Sequence, residues 1–312
     1  MSKSMRVAFI VNSRIKQRVH FDESLKKAEQ VYSDISFIIF LTEYRGHAIE
    51  LSEKACSEGF DFIISVGGDG TLNEVVNGYF RSVKNSQSGN QTVLGVLPYG
   101  TANDFVKTIN TQVDLLGMME LINKASYKDI GAGRVTCTDE AGVEQIRYFI
   151  NIADLGMGAE VVQRVDKSSK RLGASLTFSK AIVQTFLSYR KKLIQFQMRK
   201  SGKETKLLTL AIANGKYFGS GMCIAPDANP LNESLATVLI GNVSLWDYLM
   251  KIGKIKKGIK IAHPEVSYDS SDEIVVKHLQ EKVGIEADGE FLGYTPATIK
   301  SLPRSVKFIT NW

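Results

Sequence analysis

Residues 63–74 read IISVGGDGTLNE, an apolar run that ends in three glycines around one aspartate. Gly67, Gly68 and Gly70 cost backbone entropy, and an ordinary turn needs only one or two of them. Without Cβ atoms, backbone N–H groups approach a phosphate closely. A helix starting near Thr71 adds the favourable partial charge of its N-terminus, and Thr71 a hydroxyl. Asp69 fits such a cradle only if Mg²⁺ lies between it and the phosphate, or if it receives hydrogen bonds that orient the loop. The plain alternative is a tight strand-to-helix turn with Asp69 as N-cap. The segment is neither the G-x-G-x-x-G dinucleotide fingerprint nor a GK[ST] P-loop. A second cluster, LPYGTANDF, follows at 97–105. There Gly100 again permits close approach, Thr101 offers a hydroxyl, and Asn103 with Asp104 can cap a helix while facing a cleft.

Such loops need a scaffold that brings them together. In the first 125 residues, short Val/Ile-rich runs at 5–12, 35–41, 61–67 and 93–98 alternate with helical patterns at 22–33, 47–59 and 71–82. A polar loop covers 85–92 and a further helix roughly 113–124. Strands alternating with helices predict βαβ units and a parallel, Rossmann-like sheet, whose ligands bind at the carboxyl ends of the strands. Both glycine clusters fall at such ends. After residue 126, runs at 146–153, 193–199, 206–215, 236–241, 273–279 and 282–289 alternate at period two, predicting an antiparallel β domain. A helix over 172–189 interrupts it, with Leu176, Phe178, Ile182, Val183, Phe186 and Leu187 on a wide apolar stripe, and a second basic amphipathic piece covers 245–260.

A chain of 312 residues, 44% hydrophobic and 23% charged, suits a globular protein of two domains with sizeable cores. Its three cysteines, Cys56, Cys137 and Cys223, form no zinc pattern and no disulfide framework, which fits a reducing cytoplasm. The opening MSKSMRVAFIVN lacks the apolar region and cleavage site of a signal peptide, and no run approaches a spanning helix. The net charge of +6 is uneven: between 164 and 206, twelve basic residues face only Asp166 and Glu204. That segment carries +10 and leaves −4 for the rest, which suggests an anionic partner or a solvated basic face. No motif points to nucleic acid.

GGDGTLNEVVNG, followed about thirty residues later by LPYGTANDF, resembles the diacylglycerol kinase catalytic-domain family, in its bacterial soluble lipid-kinase branch. The likeness continues through TEYRGHA (42–48), FINIADLGMGAEVV (149–162), NGKYFGSGMCIAP (214–226) and IEADGEFLG (285–293). It implies a nucleotide domain over 1–126, rejoined by about 303–312, and a β-sandwich lipid-substrate domain over 127–302, with the active site between them. It implies ATP and Mg²⁺, with the nucleotide on Gly67, Gly68, Asp69, Gly70, Thr71 and Asn73 and further contacts from Asn12, Thr42, Gly100, Thr101, Asn103 and Asp104. Glu290 of Asp-Gly-Glu matches the family's proposed general base, while Asp288 holds the loop or helps with metal. Taken alone, Asp-Gly-Glu reads as an acidic hairpin turn.

The implied activity is ATP-dependent phosphorylation of diacylglycerol or a related lipid alcohol, by a cytoplasmic protein in peripheral contact with an anionic membrane surface. A homodimer is left open. Two positions depart from the family. The first loop, NSRIKQR at 12–18, lacks the usual Pro and Gly, so Arg14 or Lys16 must supply any charge there. The segment PDANPLNESL at 226–235 has Asn232-Glu233 where a structural metal loop carries Asp-Gly, which leaves the metal ligands unknown, with Asp227 and Glu233 as substitutes. The alternatives are an NAD-kinase-like enzyme and a non-catalytic lipid- or nucleotide-binding regulator.

Overall fold

The computed structural model describes residues 4–85, 92–168, 174–198 and 201–312. Most of the polar loop expected at 85–92, and Lys170, Arg171, Leu172, Arg199 and Lys200 of the basic segment, lie outside the described residues. The chain forms two compact units: Met1–Ile130 with Arg304–Trp312, and Gly131–Pro303.

The first unit runs β1 (Met5–Asn12), α1 (Arg18–Val31), β2 (Ile35–Thr42), α2 (His47–Ser57), β3 (Phe62–Gly67), α3 (Asp69–Asn85), β4 (Val93–Pro98), α4 (Asp104–Ile109) and α5 (Leu115–Asn123). Its parallel sheet has the order β2-β1-β3-β4, and β4 then takes Phe308 opposite Leu94 from the end of the last strand of the chain. Val7 to Val11 and Phe62 to Gly67 are buried throughout, the continuous apolar pattern of strands covered on both faces. The order places β2 on one side of β1 and β3 on the other. The connections after β1 and β3 therefore diverge and leave a crevice at the carboxyl ends of these two strands. Helix α3 begins at Asp69, two residues before the predicted start, and packs on α2 so closely that a Cβ on Gly78 would lie 2.2 Å from the Ile49 carbonyl oxygen. The final glycine of GGDGTLNEVVNG thus serves helix packing.

The second unit runs β5 (Tyr127–Thr138, starting in the first unit), β6 (Glu144–Phe149), β7 (Ile152–Gly156), α6 (Met157–Asp166), α7 (Ala174–Ser188), β8 (Lys192–Met198), β9 (Ser201–Leu207), β10 (Thr209–Ala213), β11 (Tyr217–Phe218), β12 (Met222–Cys223), β13 (Leu235–Ile240), α8 (Leu245–Lys256), β14 (Val266–Ser271), β15 (Glu273–His278), β16 (Gly284–Ala287) and β17 (Glu290–Ile309). An antiparallel ladder follows the order β14-β13-β10-β7-β16-β17, and β17 also takes β15, followed by β8 and β9. Phe149, Leu155, Ile212, Ile274, Ile285 and Ile299 contribute to its core. The last six residues of β17, from Arg304, carry the chain back to the first unit, ending beside β4. The single strand predicted at 146–153 is two strands, broken at Ile150 and Asn151, for a reason that lies in the site.

Candidate active site

In the first unit, the two glycine loops touch through their backbones. A Cβ on Gly100 would lie 2.3 Å from the Cα of Gly68, and one on Gly68 would lie 3.2 Å from the Cα of Gly100. Neither residue needs a left-handed φ; close approach alone demands glycine here. Gly67 is glycine for a similar reason: its Cβ would lie 2.5 Å from Thr71 Oγ1 and 3.3 Å from Asn12 Cβ. Asn12, at the end of β1, donates from Nδ2 to Thr71 Oγ1 (3.0 Å), so one hydrogen bond spans the crevice between β1 and β3. Its Oδ1 accepts the amide of Arg14 (2.9 Å), and Thr42 Oγ1 accepts the amide of Ser13 (3.3 Å). These side chains fix the path of the first loop in the absence of the family's Pro and Gly.

Asp69 is held against the amino end of α4. Its Oδ1 accepts the amides of Asp104 (2.9 Å) and Phe105 (3.4 Å). The N-cap residue of α4, Asn103, sits in the left-handed region and makes no side-chain cap; its Nδ2 instead donates to the carbonyls of Pro98 and Gly100. The loop after β3 therefore caps the helix after β4, which corrects the expectation that Asn103 and Asp104 cap it themselves. The carboxylate is thus stabilised by the free amides at the start of α4. The 17-residue α3 opens on amides that have no carbonyl of their own helix to meet, and Gly68 and Gly70 beside them carry no side chain. An anionic phosphate fits this opening.

Thr101 is exposed and can serve a ligand here, whereas Asn103 Oδ1 is buried without a hydrogen-bond partner. Asp104 is buried, with Lys107 Nζ 2.7 Å from its Oδ1. Asn73 is fully buried, and its Oδ1 accepts Asn77 Nδ2 (3.1 Å). Glu74 has a role that the motif alone did not reveal. It accepts the amides of Gly46 (2.8 Å) and Ala48 (3.1 Å), capping α2 and tying TEYRGHA to the glycine loop's own helix. The signal was available: α2 starts at Gly46-His47, without a Ser, Thr, Asp or Asn to cap it.

In the second unit, three of the motifs meet at Asn151. Its carbonyl accepts the amides of Asn214 and Gly215, and its Nδ2 donates to the Tyr217 carbonyl. Asn214 Nδ2 bonds the carbonyls of Gly131 and Ile150. Asp288 closes the knot: Oδ2 accepts the Ile150 amide (3.0 Å), and Oδ1 accepts those of Asn151 (3.1 Å) and Ile152 (3.0 Å). Those amides serve a carboxylate, and β6 and β7 part there. Of the two roles open to Asp288, holding the loop is the one this geometry supplies. Asp288 and Gly289 both have positive φ, the conformation of a two-residue hairpin turn, and Glu290 follows, half-exposed, as the first residue of β17.

Beneath that turn lies a pair of buried acids. Asp154 of β7 and Glu286 of β16 are direct antiparallel partners, so their side chains share a face. Glu286 Oε2 accepts the amide of Gly289 (2.8 Å), the residue before Glu290. Burial pushes the Glu286 carboxyl well above its usual range, and Asp154 adds to this, against the pull of the Gly289 amide. Burial pushes Asp154 up to about 7, against the pull of Thr209 and the amides of Leu155, Gly158 and Leu210. A folded Glu286 keeps a proton that the unfolded chain releases above about pH 4.5. Its contribution to stability is therefore complete below that pH and drains away as pH rises through the folded pKa. Glu286→Gln cannot ionise and still accepts the Gly289 amide. Its melting temperature is expected to fall less between pH 5 and pH 8, ending about 3–6 °C above the parent at the upper limit. Equal slopes in the two proteins, followed by scanning calorimetry, would clear Glu286 of this role.

Among the described residues, no group of three or more His, Cys, Asp or Glu gathers to hold a metal. Asp227, a substitute ligand in the 226–235 segment, pairs instead with Lys260 Nζ at 2.5 Å.

Residues 6–135 match the diacylglycerol kinase catalytic domain, and residues 151–310 match the YegS C-terminal NAD kinase beta sandwich-like domain. A protein named diacylglycerol kinase from Staphylococcus aureus (strain bovine RF122 / ET3-1) is 27% identical over 322 residues, covering 98% of this chain and 92% of that protein. One of the same name from Staphylococcus haemolyticus (strain JCSC1435) is 28% identical over 286 residues, covering 87% and 77%. The crystal structure of a diacylglycerol kinase from Bacillus anthracis str. Sterne shares the fold with a TM-score of 0.71 at 17% identity, covering 100% of this chain and 98% of that one. Yeast NADH kinase complexed with NADH shares it more distantly, with a TM-score of 0.55 at 10% identity and coverage of 100% and 85%.

Proposed function

This chain belongs to the diacylglycerol kinase catalytic-domain family, and from that membership we propose that it transfers the γ-phosphate of ATP to the hydroxyl of diacylglycerol or a related lipid alcohol, giving a lipid phosphate. The observation that carries the reading is the backbone contact of Gly68 with Gly100 beside the amino end of α3. It leaves helix amides and glycine backbone facing a strand-end crevice, which is the equipment a nucleotide phosphate requires.

Phosphoryl transfer asks a protein mainly for alignment and charge stabilisation. The amides of Gly68, Asp69 and Gly70 hold phosphate oxygens, with the Thr101 hydroxyl as a side-chain donor at the second loop. Asn12 and Thr71 keep the crevice in shape through their mutual hydrogen bond. Magnesium bound with the nucleotide would supply neutralisation of charge on the phosphate oxygens. Glu290 accepts the proton of the acceptor hydroxyl, a step typically worth about 10²–10⁴-fold. The acceptor is a membrane lipid, reached from the cytoplasmic side. Contact with the bilayer is peripheral in this reading; no helix among the described residues is long and apolar enough to cross a membrane.

The test is phosphate transfer from γ-labelled ATP to a panel of lipid alcohols dispersed in vesicles, with NAD as a parallel acceptor and mass identification of the product. Label is expected in a lipid phosphate, with diacylglycerol among the acceptors. Label in the dinucleotide alone would replace this reading with the NAD-kinase-like one. Nucleotide binding without transfer to any acceptor would leave a non-catalytic regulator.

A further inference from the structure

Two helices of the second unit carry large apolar side chains on their solvent faces. On α8, Trp246 is 70% exposed and Met250 66%, with Leu249 beside them at 44%. The inward face of the same helix is separately furnished, by buried Ile255 and half-buried Tyr248, which pack against a core containing Met222 and Ile224. Packing therefore accounts for the inward set and leaves the outward set unexplained. On α7, Leu187 is 71% exposed and Val183 42%, one turn apart. The two helices meet through the rings of Phe186 and Tyr248, 5.6 Å between centroids. The apolar stripe expected over 172–189 is thus divided. Ile182 and Phe186 pack inward and Val183 and Leu187 face out, while the side chains of Leu176 and Phe178 lie outside those described.

Charge gives this face its complement. Residues 245–260 hold five lysines against one acid, Asp247. The Asp247 carboxylate is committed to the capping box with Ser244 at the start of α8. Lys254, Lys256 and Lys257 are exposed beyond Met250, and Lys180 is exposed on α7. An apolar group with an interfacial tryptophan, bordered by lysines, matches the acyl boundary and the phosphates of an anionic bilayer. Parts of the basic segment at 164–206 are otherwise occupied: Lys191 binds Asn242 Oδ1 and Lys192 binds the Lys282 carbonyl.

We propose that the outward faces of α8 and α7 dock the protein on an anionic lipid bilayer. Trp246, Met250 and Leu187 enter the headgroup boundary, and the α8 lysines meet lipid phosphates. This deepens the lipid-kinase reading and rests on it for the substrate, whereas docking itself is measured without turnover. The chain has two tryptophans, so full-length protein carrying Trp312→Phe reports on Trp246 alone. With phosphatidylglycerol-containing vesicles that hold no diacylglycerol, Trp246 emission should shift to the blue. Binding should weaken in high salt and on neutral phosphatidylcholine vesicles. In the Trp312-containing parent, Trp246→Ser with Met250→Ser should lower vesicle partitioning, followed by sedimentation, at least about tenfold. Phosphorylation of a short-chain, water-soluble diacylglycerol should stay as in the parent.

Unchanged partitioning of the double variant, or an unshifted Trp246 emission, would overturn the docking face and leave the kinase reading standing. Vesicle binding with no transfer to any lipid would do the reverse. Sedimentation velocity covers the competing occupant: a dimer that the double variant converts to monomer, with partitioning unchanged, would assign the face to a second copy of the chain.

Discussion

Glu290→Gln binds nucleotide as the parent does and turns over at least about a hundredfold more slowly. The substitution keeps the size of the side chain at the head of β17 and removes its capacity to take a proton. Asp288→Asn provides the contrast. The parent carboxylate receives three backbone amides on its two oxygens, and an amide side chain has only one acceptor oxygen to offer them. That variant should lose thermal stability and activity together, whereas Glu290→Gln should lose activity alone. Turnover at saturating ATP and acceptor, read beside nucleotide-induced thermal shift, separates the two. A Gln variant with near-parental turnover would remove Glu290 from the proton-accepting role.

Gly100→Ala is the second substitution with a large expected effect. One methyl group would stand 2.3 Å from the Gly68 Cα, against main chain that has no side chain to swing aside. The two loops must part, and with them the bond from Asp69 to the amino end of α4. Affinity for a non-hydrolysable ATP analogue, by titration calorimetry, should fall at least about tenfold, the scale of one or more lost hydrogen bonds to a phosphate. Far-UV circular dichroism should stay that of the parent, because the clash is local to the strand ends. Thr101→Ala at an exposed position next door should cost far less. Parental affinity in Gly100→Ala would mean that the loops do not form the nucleotide site.

The parallel half was legible because strands covered on both faces, such as β3 and β4, are written as unbroken apolar runs. The glycine loops stood out because so many glycines together are costly. What they were held against was not legible. The partner of Asp69 is the start of α4, 35 residues away, and no local pattern encodes a cap supplied across a sheet edge. Glu74 escaped although the start of α2 at Gly46-His47, which offers no capping side chain, signalled that an acceptor had to come from elsewhere. In the second half, VSYDSS (β14) is absent from the predicted runs because its composition is mostly polar. IRYFINIA looked continuous because the sequence does not show that Asp288 claims the amides at its centre. The helix α6 hid in a stretch whose glycines, Gly156 and Gly158, suggest turns.

The meeting of Gly68 and Gly100 also limits how this protein can be retuned. A gap walled by side chains can be widened or narrowed by exchanging one residue for another. Here main chain abuts main chain, so the gauge is fixed by peptide geometry, and any exchange can only wedge the walls apart. In the kinase reading proposed above, variation in nucleotide preference would therefore fall on the rim, at exposed Thr101, and leave the seat untouched.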